Sequence, residues 1–139
     1  MKNTVIIKKN YEFKNLFSKG KFFYGEFINF YIKTSEAKKN RLGIAVSSKK
    51  GKAVQRNRLK RLIRENYKEI ENRIQLGTQI LIIVNKKKEL KEITFYNIKE
   101  DFYIVACNSF HCIFICQSER IIKQMDITSC NIASLSANT

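Results

Sequence analysis

Between Lys49 and Arg64 the chain sets eight basic residues, Lys49, Lys50, Lys52, Arg56, Arg58, Lys60, Arg61 and Arg64, and no acidic one; Glu65 is the first carboxylate to follow. Guanidinium forks take phosphate oxygens in bidentate fashion and stack on bases. Asn57, held between two arginines, adds a neutral amide able to reach a 2′-hydroxyl or a base edge. Projected as a helix at about 100° per residue, the apolar residues from Leu62 to Ile74 gather near roughly 20°, with Leu59 at zero, while Asn57, Arg61, Arg64 and Lys68 gather near roughly 140–200°. Arg58 and Lys60 flank that second stripe. A helix face of mixed Lys and Glu is usually just solvated, but this run carries one sign only, which fits a polyanionic surface.

The whole composition agrees. Lys and Arg number 27 against 12 Asp and Glu, a net charge of +15, far more than solubility requires. The candidate partners are nucleic acid, whose phosphates release counterions to Lys and Arg, and an anionic membrane surface. No amphipathic anchor for a membrane is evident. The apolar-leaning stretch Phe102 to Cys116 is about 15 residues, short of the roughly 18–20 that a span needs. The apolar run Val5-Ile6-Ile7 is too short for a signal peptide, so the expected location is the cytoplasm. Catalytic residues are not expected in this chain: His111 is the only histidine, no Asp or Glu pair is set among nucleophiles, and no phosphate-loop or dinucleotide fingerprint occurs.

The elements that must position the basic run follow from local patterns. Asn10 is expected to cap a short helix with Phe13, Leu16 and Phe17 at i, i+3 and i+4, ended by Gly20 in a left-handed conformation. Lys21 to Lys33 is aromatic and β-branched around Gly25-Glu26, giving one bent strand or two strands around a turn. After a polar loop, Arg41 to Ser47 resumes strand character. A long helix is expected from about Ala53 to Ile74, its apolar stripe formed by Leu59, Leu62, Ile63, Tyr67, Ile70 and Ile74, with Gly77 ending it. Gln79 to Val84 reads as a central strand covered on both faces. Thr94 caps a last helix containing Phe95, Ile98, Phe102 and Ala106. The result is a single α+β domain, a helix-on-sheet sandwich.

Gly51-Lys52-Ala53-Val54-Gln55-Arg56-Asn57-Arg58-Leu59-Lys60-Arg61-Leu62-Ile63-Arg64-Glu65 resembles the signature of the bacterial ribonuclease P protein component family. Phe13-Lys14-Asn15-Leu16-Phe17 before Lys19-Gly20, and Arg41 to Ser47, agree with it in order and spacing, over about residues 5–103. The resemblance implies an α/β sandwich of a mixed four-stranded sheet with three helices, in the order αββαβα with a left-handed βαβ crossover, a ribosomal-protein-like fold; the common hand would be right-handed. It implies the protein subunit of an endoribonuclease whose RNA subunit, using Mg2+, removes the 5′ leader from precursor tRNA, with one protein per RNA. Lys49, Lys52, Arg56, Asn57, Arg58, Lys60, Arg61, Arg64 and Lys68 would face the catalytic RNA. Phe13 and Phe17 match the family's cleft for the single-stranded leader, as alternatives to a plain core role. Anchoring on Phe27 puts Phe30 at the strand aromatic of that cleft, with Tyr31 adjacent; a shift of one residue exchanges their faces. Base stacking there is tolerant of sequence. One local departure is Ser47-Ser48-Lys49-Lys50-Gly51, where a lysine is moved by one place.

A second departure begins near Ile104. Residues 104–139 hold two basic and two acidic residues, His111, and all four cysteines, Cys107, Cys112, Cys116 and Cys130. We read residues 1–103 as the domain and 104–139 as a divergent neutral tail that finishes the last helix and is then disordered, as a frameshift or readthrough would give. Cys107, His111, Cys112 and Cys116 lack the paired Cys-x-x-Cys knuckles of structural zinc, so no metal is expected. The rival reading from another class is a ribosomal-type or RNA-chaperone protein, sharing the charge but with no part in cleavage.

Overall fold

The computed structural model describes residues 1–108. Its elements are β1 (Thr4–Ile6), α1 (Asn10–Lys19), β2 (Lys21–Phe23), β3 (Ile28–Thr34), β4 (Asn40–Ala45), α2 (Ala53–Ile70), β5 (Thr78–Val84) and α3 (Phe95–Asn108), with 3-10 turns at Ser48–Lys50 and Glu71–Arg73. The strands form one mixed sheet in the order β1-β4-β5-β3-β2. β1, β4 and β5 run parallel, while β3 is antiparallel to both β5 and β2. β4 and β5 are parallel neighbours joined through α2, which makes the strand–helix–strand unit that carries the basic run.

The sheet has five strands where four were expected. The added one is β1, too short for a periodic signal, which pairs with the distant β4. The segment around Gly25 resolves into two strands.

The hydrophobic pattern explains the layering. Ile28, Phe30 and Ile32 of β3, Leu42 of β4, and Ile80, Ile82 and Val84 of β5 face α2 and α3, which present Leu59, Ile63, Tyr67 and Ile70, and Ile98, Phe102 and Val105. Full burial of such a side chain contributes about 1.5–3 kcal/mol. On the other face Leu81 packs with Ile7 and Leu16, beside Phe13, Tyr31, Ala45 and Ile83. Two helices thus cover one face, and α1 covers only part of the other.

Several helix ends differ from expectation. Lys9, not Asn10, precedes α1, and no side chain caps it. Gly20 is extended, with φ −75°, because the chain runs straight from α1 into β2. Glycine is required there for space: a Cβ would lie 2.4 Å from the Leu16 carbonyl oxygen, to which the Gly20 N–H donates. α2 stops at Ile70 and tightens into the 3-10 turn, so Ile74 stays in the core without being helical. Thr94 caps α3 as expected, its Oγ1 accepting from the Asn97 N–H while Asn97 Oδ1 accepts from the Thr94 N–H at 3.0 Å. α3 runs past position 103 and places Val105 in the core.

Two buried carboxylates fasten the edges of the sheet. Asp101 of α3 is 1% exposed and accepts N–H bonds from Glu26 (3.0 Å), Phe27 (2.8 Å) and Ile28 (2.9 Å), which locks the turn between β2 and β3. Burial pushes its pKa up and the N–H donors pull it back. Glu71 accepts from Thr4 Oγ1 (2.7 Å) and the Asn3 N–H (3.1 Å), with the amino terminus at 3.8 Å, and so holds β1. Burial opposes the Glu71 carboxylate, but these donors and the ammonium outweigh it, and its pKa is net lowered.

Replacing Asp101 with Asn sets an NH2 group against a backbone donor, and the variant is expected to lose about 1–3 kcal/mol in denaturant unfolding, the cost of an unmet buried group. For Glu71 the folded pKa lies below the unfolded one, so its contribution is full above the ordinary value of 4.5 and is lost as pH falls through the folded value. Unfolding followed from pH 6 downward, against a Glu71→Gln variant that lacks this dependence, checks the sign.

Candidate nucleic-acid interface

The basic run begins in a braced turn. Ser47 Oγ accepts from the Lys49 N–H, and the Lys52 N–H donates to Gln55 Oε1 at 3.2 Å at the start of α2. Arg56 Nη1 reaches back to the carbonyls of Ser48 (3.2 Å) and Gly51. Lys50 Nζ donates to the carbonyls of Asn85 and Lys88, tying this turn to the loop after β5. Burial lowers the Lys50 pKa.

These two cations are therefore partly engaged by the protein's own backbone. Sequence reasoning grouped Arg56 with the RNA contacts and did not foresee its tether. Lys49, Lys52, Asn57, Arg58, Arg61 and Lys68 are exposed, whereas Lys60 and Arg64 are half-buried. Leu59, Ile63, Tyr67 and Ile70, on the opposite side of α2, are buried. The helical projection is thus reproduced for Asn57, Arg61 and Lys68, which stand on a helix fixed from behind, while Arg64 sits deeper than expected. Arg64 Nε is buried with no hydrogen-bond partner among the described residues.

The aromatic candidates separate by face. Phe30 is 1% exposed and packs edge-on against Phe102 of α3, ring centroids 5.1 Å apart. It belongs to the core between sheet and helices and cannot line an open cleft, a correction to the expectation. Tyr31, one residue on, points to the α1 face, where its ring lies 4.8 Å from Phe17 and 5.1 Å from Phe22. Phe17 is 55% exposed and Phe13 half-buried. Phe13 lies over Gly43 of β4: a Cβ on Gly43 would come within 3.0 Å of its ring. Gly43, Leu81, Tyr31 and Phe22 are register partners across four strands, so Phe13, Tyr31 and Phe22 follow one transverse row. Lys33 shares the face with Tyr31, two residues along β3.

Phe22 was missed because its place depends on the β2–β3 register, which the sequence does not reveal. Asp101 could have been found: it falls three residues after Ile98 on the buried stripe of α3, where an acid must meet donors. Among the described residues no group of three or more His, Cys, Asp or Glu side chains could hold a metal, and no helix is long and apolar enough to cross a membrane. Of the residues considered as a metal set, Cys107 falls at the end of α3, while His111, Cys112 and Cys116, with the tail beyond residue 108, lie outside the described residues.

A family model described as Ribonuclease P matches residues 1–106. The ribonuclease P protein component of Listeria innocua is 38% identical over 101 residues, covering 72% of this chain and 83% of that relative. The structure of the Staphylococcus aureus RNase P protein superposes with a TM-score of 0.66 at 33% identity, over 79% of this chain and 97% of that one. The RNase P protein from Thermotoga maritima gives 0.64 at 29% identity, over 73% and 94%.

The split of β3 between faces makes a direct prediction. Phe30→Ala is expected to lower stability by about 3–5 kcal/mol, as for other buried aromatics. Tyr31→Ala, at a half-open site, is expected to cost well under half of that. Denaturant unfolding of both variants checks it; equal losses would reverse the assignment of faces.

Proposed function

The chain belongs to the ribonuclease P protein family, and from that premise we propose that it is the protein subunit of a ribonuclease P in which it binds the catalytic RNA and the 5′ leader of precursor tRNA. Its role is in tRNA processing, with the RNA subunit performing the endonucleolytic cut. The exposed ridge of α2, Asn57, Arg58 and Arg61 with Lys49, Lys52 and Lys68, docks on the RNA. Lys60 and Arg64 extend the contact from its sides. Arg56 shapes the turn as well as contributing charge. The α1 face, with Phe13, Phe17 and Tyr31, holds the single-stranded leader by stacking, which tolerates varied sequence.

The observation that carries this reading is the run of cations without a carboxylate from Lys49 to Arg64 on a helix whose other side is buried, in the sequence context the family shares. A ridge fixed from behind meets phosphates without first losing helix freedom. Mg2+ serves the RNA subunit, where it stabilises the cleavage chemistry, and this chain supplies no group to the reacting atoms. The stoichiometry is one protein per RNA, and the complex works in the cytoplasm.

The test adds the protein to a bacterial ribonuclease P RNA and measures cleavage of a precursor tRNA at low Mg2+. Stimulation is expected; none would sink the proposal. Arg58→Ala and Arg61→Ala are each expected to weaken RNA binding and to flatten its salt dependence, by about one in the logarithmic slope for each phosphate left without its cation. A slope unchanged in both would remove α2 as the docking surface.

A further inference from the structure

The row of rings on the α1 face does not end at Tyr31. Phe22 continues it toward the open edge of the sheet, 5.1 Å from the Tyr31 ring and 49% exposed. β2 has no need of this side chain for anchorage. Phe23, on the other face of the same strand, packs against the main core, and β2 keeps its register with β3 through Lys21, Phe22 and Phe23. A half-exposed phenyl group on an edge strand leaves apolar surface to water, at a cost in stability. Its neighbours are an aromatic pair already suited to stacking bases, and the chain carries a net charge of +15, which draws a polyanion to the surface.

We propose that Phe22 is an additional stacking surface for the single-stranded leader, holding the nucleotide next to the one on Phe17 and Tyr31. This rests on the reading of the α1 face as the leader site. Adjacent register partners put Tyr31 and Phe22 on neighbouring strands, about 4.8 Å apart, so that one strand of nucleic acid crossing the sheet meets both rings in turn. The leader crosses the sheet along the row, from Phe13 over β4 toward Phe22 on β2. The consequence is that this subunit grips a longer stretch of leader than Phe17 and Tyr31 alone allow.

The experiment uses the reconstituted holoenzyme and precursor tRNAs whose leaders are shortened one nucleotide at a time, with mature tRNA as reference. For the unaltered protein, affinity rises with leader length to a plateau. With Phe22→Ser the plateau is expected one nucleotide earlier and about fivefold weaker, the lower end for loss of base stacking on a ring, while mature tRNA binding is unchanged. Phe22→Tyr, which keeps the ring, restores the full length dependence; Phe22→Leu, which keeps bulk alone, does not. A Phe22→Ser curve superimposed on the original, an equal loss for mature tRNA, or full rescue by Leu would each overturn the proposal. Phe17→Ala and Tyr31→Ala separate its failure from that of the leader site. If they abolish length dependence and Phe22→Ser does not, only the extension fails; if the unaltered protein shows no length dependence, the leader site itself is wrong.

Discussion

Side chains along a β-strand alternate between its faces, and in β3 both faces are claimed by helices. Phe30 enters the core beneath α2 and α3, so Tyr31 must emerge beside α1. A slip of one residue would bury the tyrosine hydroxyl against Phe102 and expose Ile28, Phe30 and Ile32 together. That alternation is fixed by pairing on two sides, seven residues with β5 and three with β2. The aromatic surface is therefore a by-product of how the main core is packed, and its rings cannot shift without unpacking the centre of the sheet.

The same economy governs charge. A cationic helix repels itself, and a stretch from Lys49 to Arg64 without one carboxylate gains nothing from internal pairing. The structure relieves this at the start of α2 by giving two of the cations backbone carbonyls: Arg56 takes Ser48 and Gly51, and Lys50 takes Asn85 and Lys88. Those bonds order the turn that aims the helix. Two acidic residues are placed where they hold edges, Asp101 at the β2–β3 turn and Glu71 at β1, and no carboxylate falls between Lys49 and Arg64.

Much of this was legible in the sequence. The stripe of Leu59, Ile63, Tyr67 and Ile70 against Asn57, Arg61 and Lys68 is a local, periodic signal, and periodicity survives folding. The Thr94 cap and the β5 run were legible for the same reason. What could not be read depends on partners distant in sequence. β1 is three residues without a pattern, and it exists because β4 and Glu71 receive it. Gly20 suggested a left-handed helix end, yet its absent Cβ answers to the nearby Leu16 carbonyl and Tyr31 side chain instead. The choice between Phe30 and Tyr31 turned on the parity of one strand, which only the burial of its neighbours decides.

The two surfaces proposed to bind RNA are carried on opposite faces of one sheet, and a chain of tethers joins them. Lys50 holds the turn before α2 to the loop after β5; Lys88, in that loop, pairs with Glu26 at 3.0 Å and lies over the Phe27 ring at 4.7 Å; Asp101 fastens the same turn, which leads into β3 and Tyr31. Each link is a modest hydrogen bond or ion pair, and Lys88 with Glu26 is partly open to solvent, where such a pair contributes little by itself. Their effect is geometric: they remove the hinge that the loops after β4 and β5 would otherwise provide. The proposed contacts, with one RNA through a helix and with a second through a sheet, need that relation fixed, and the buried alternation of β3 fixes it from inside while these tethers fix it at the rim.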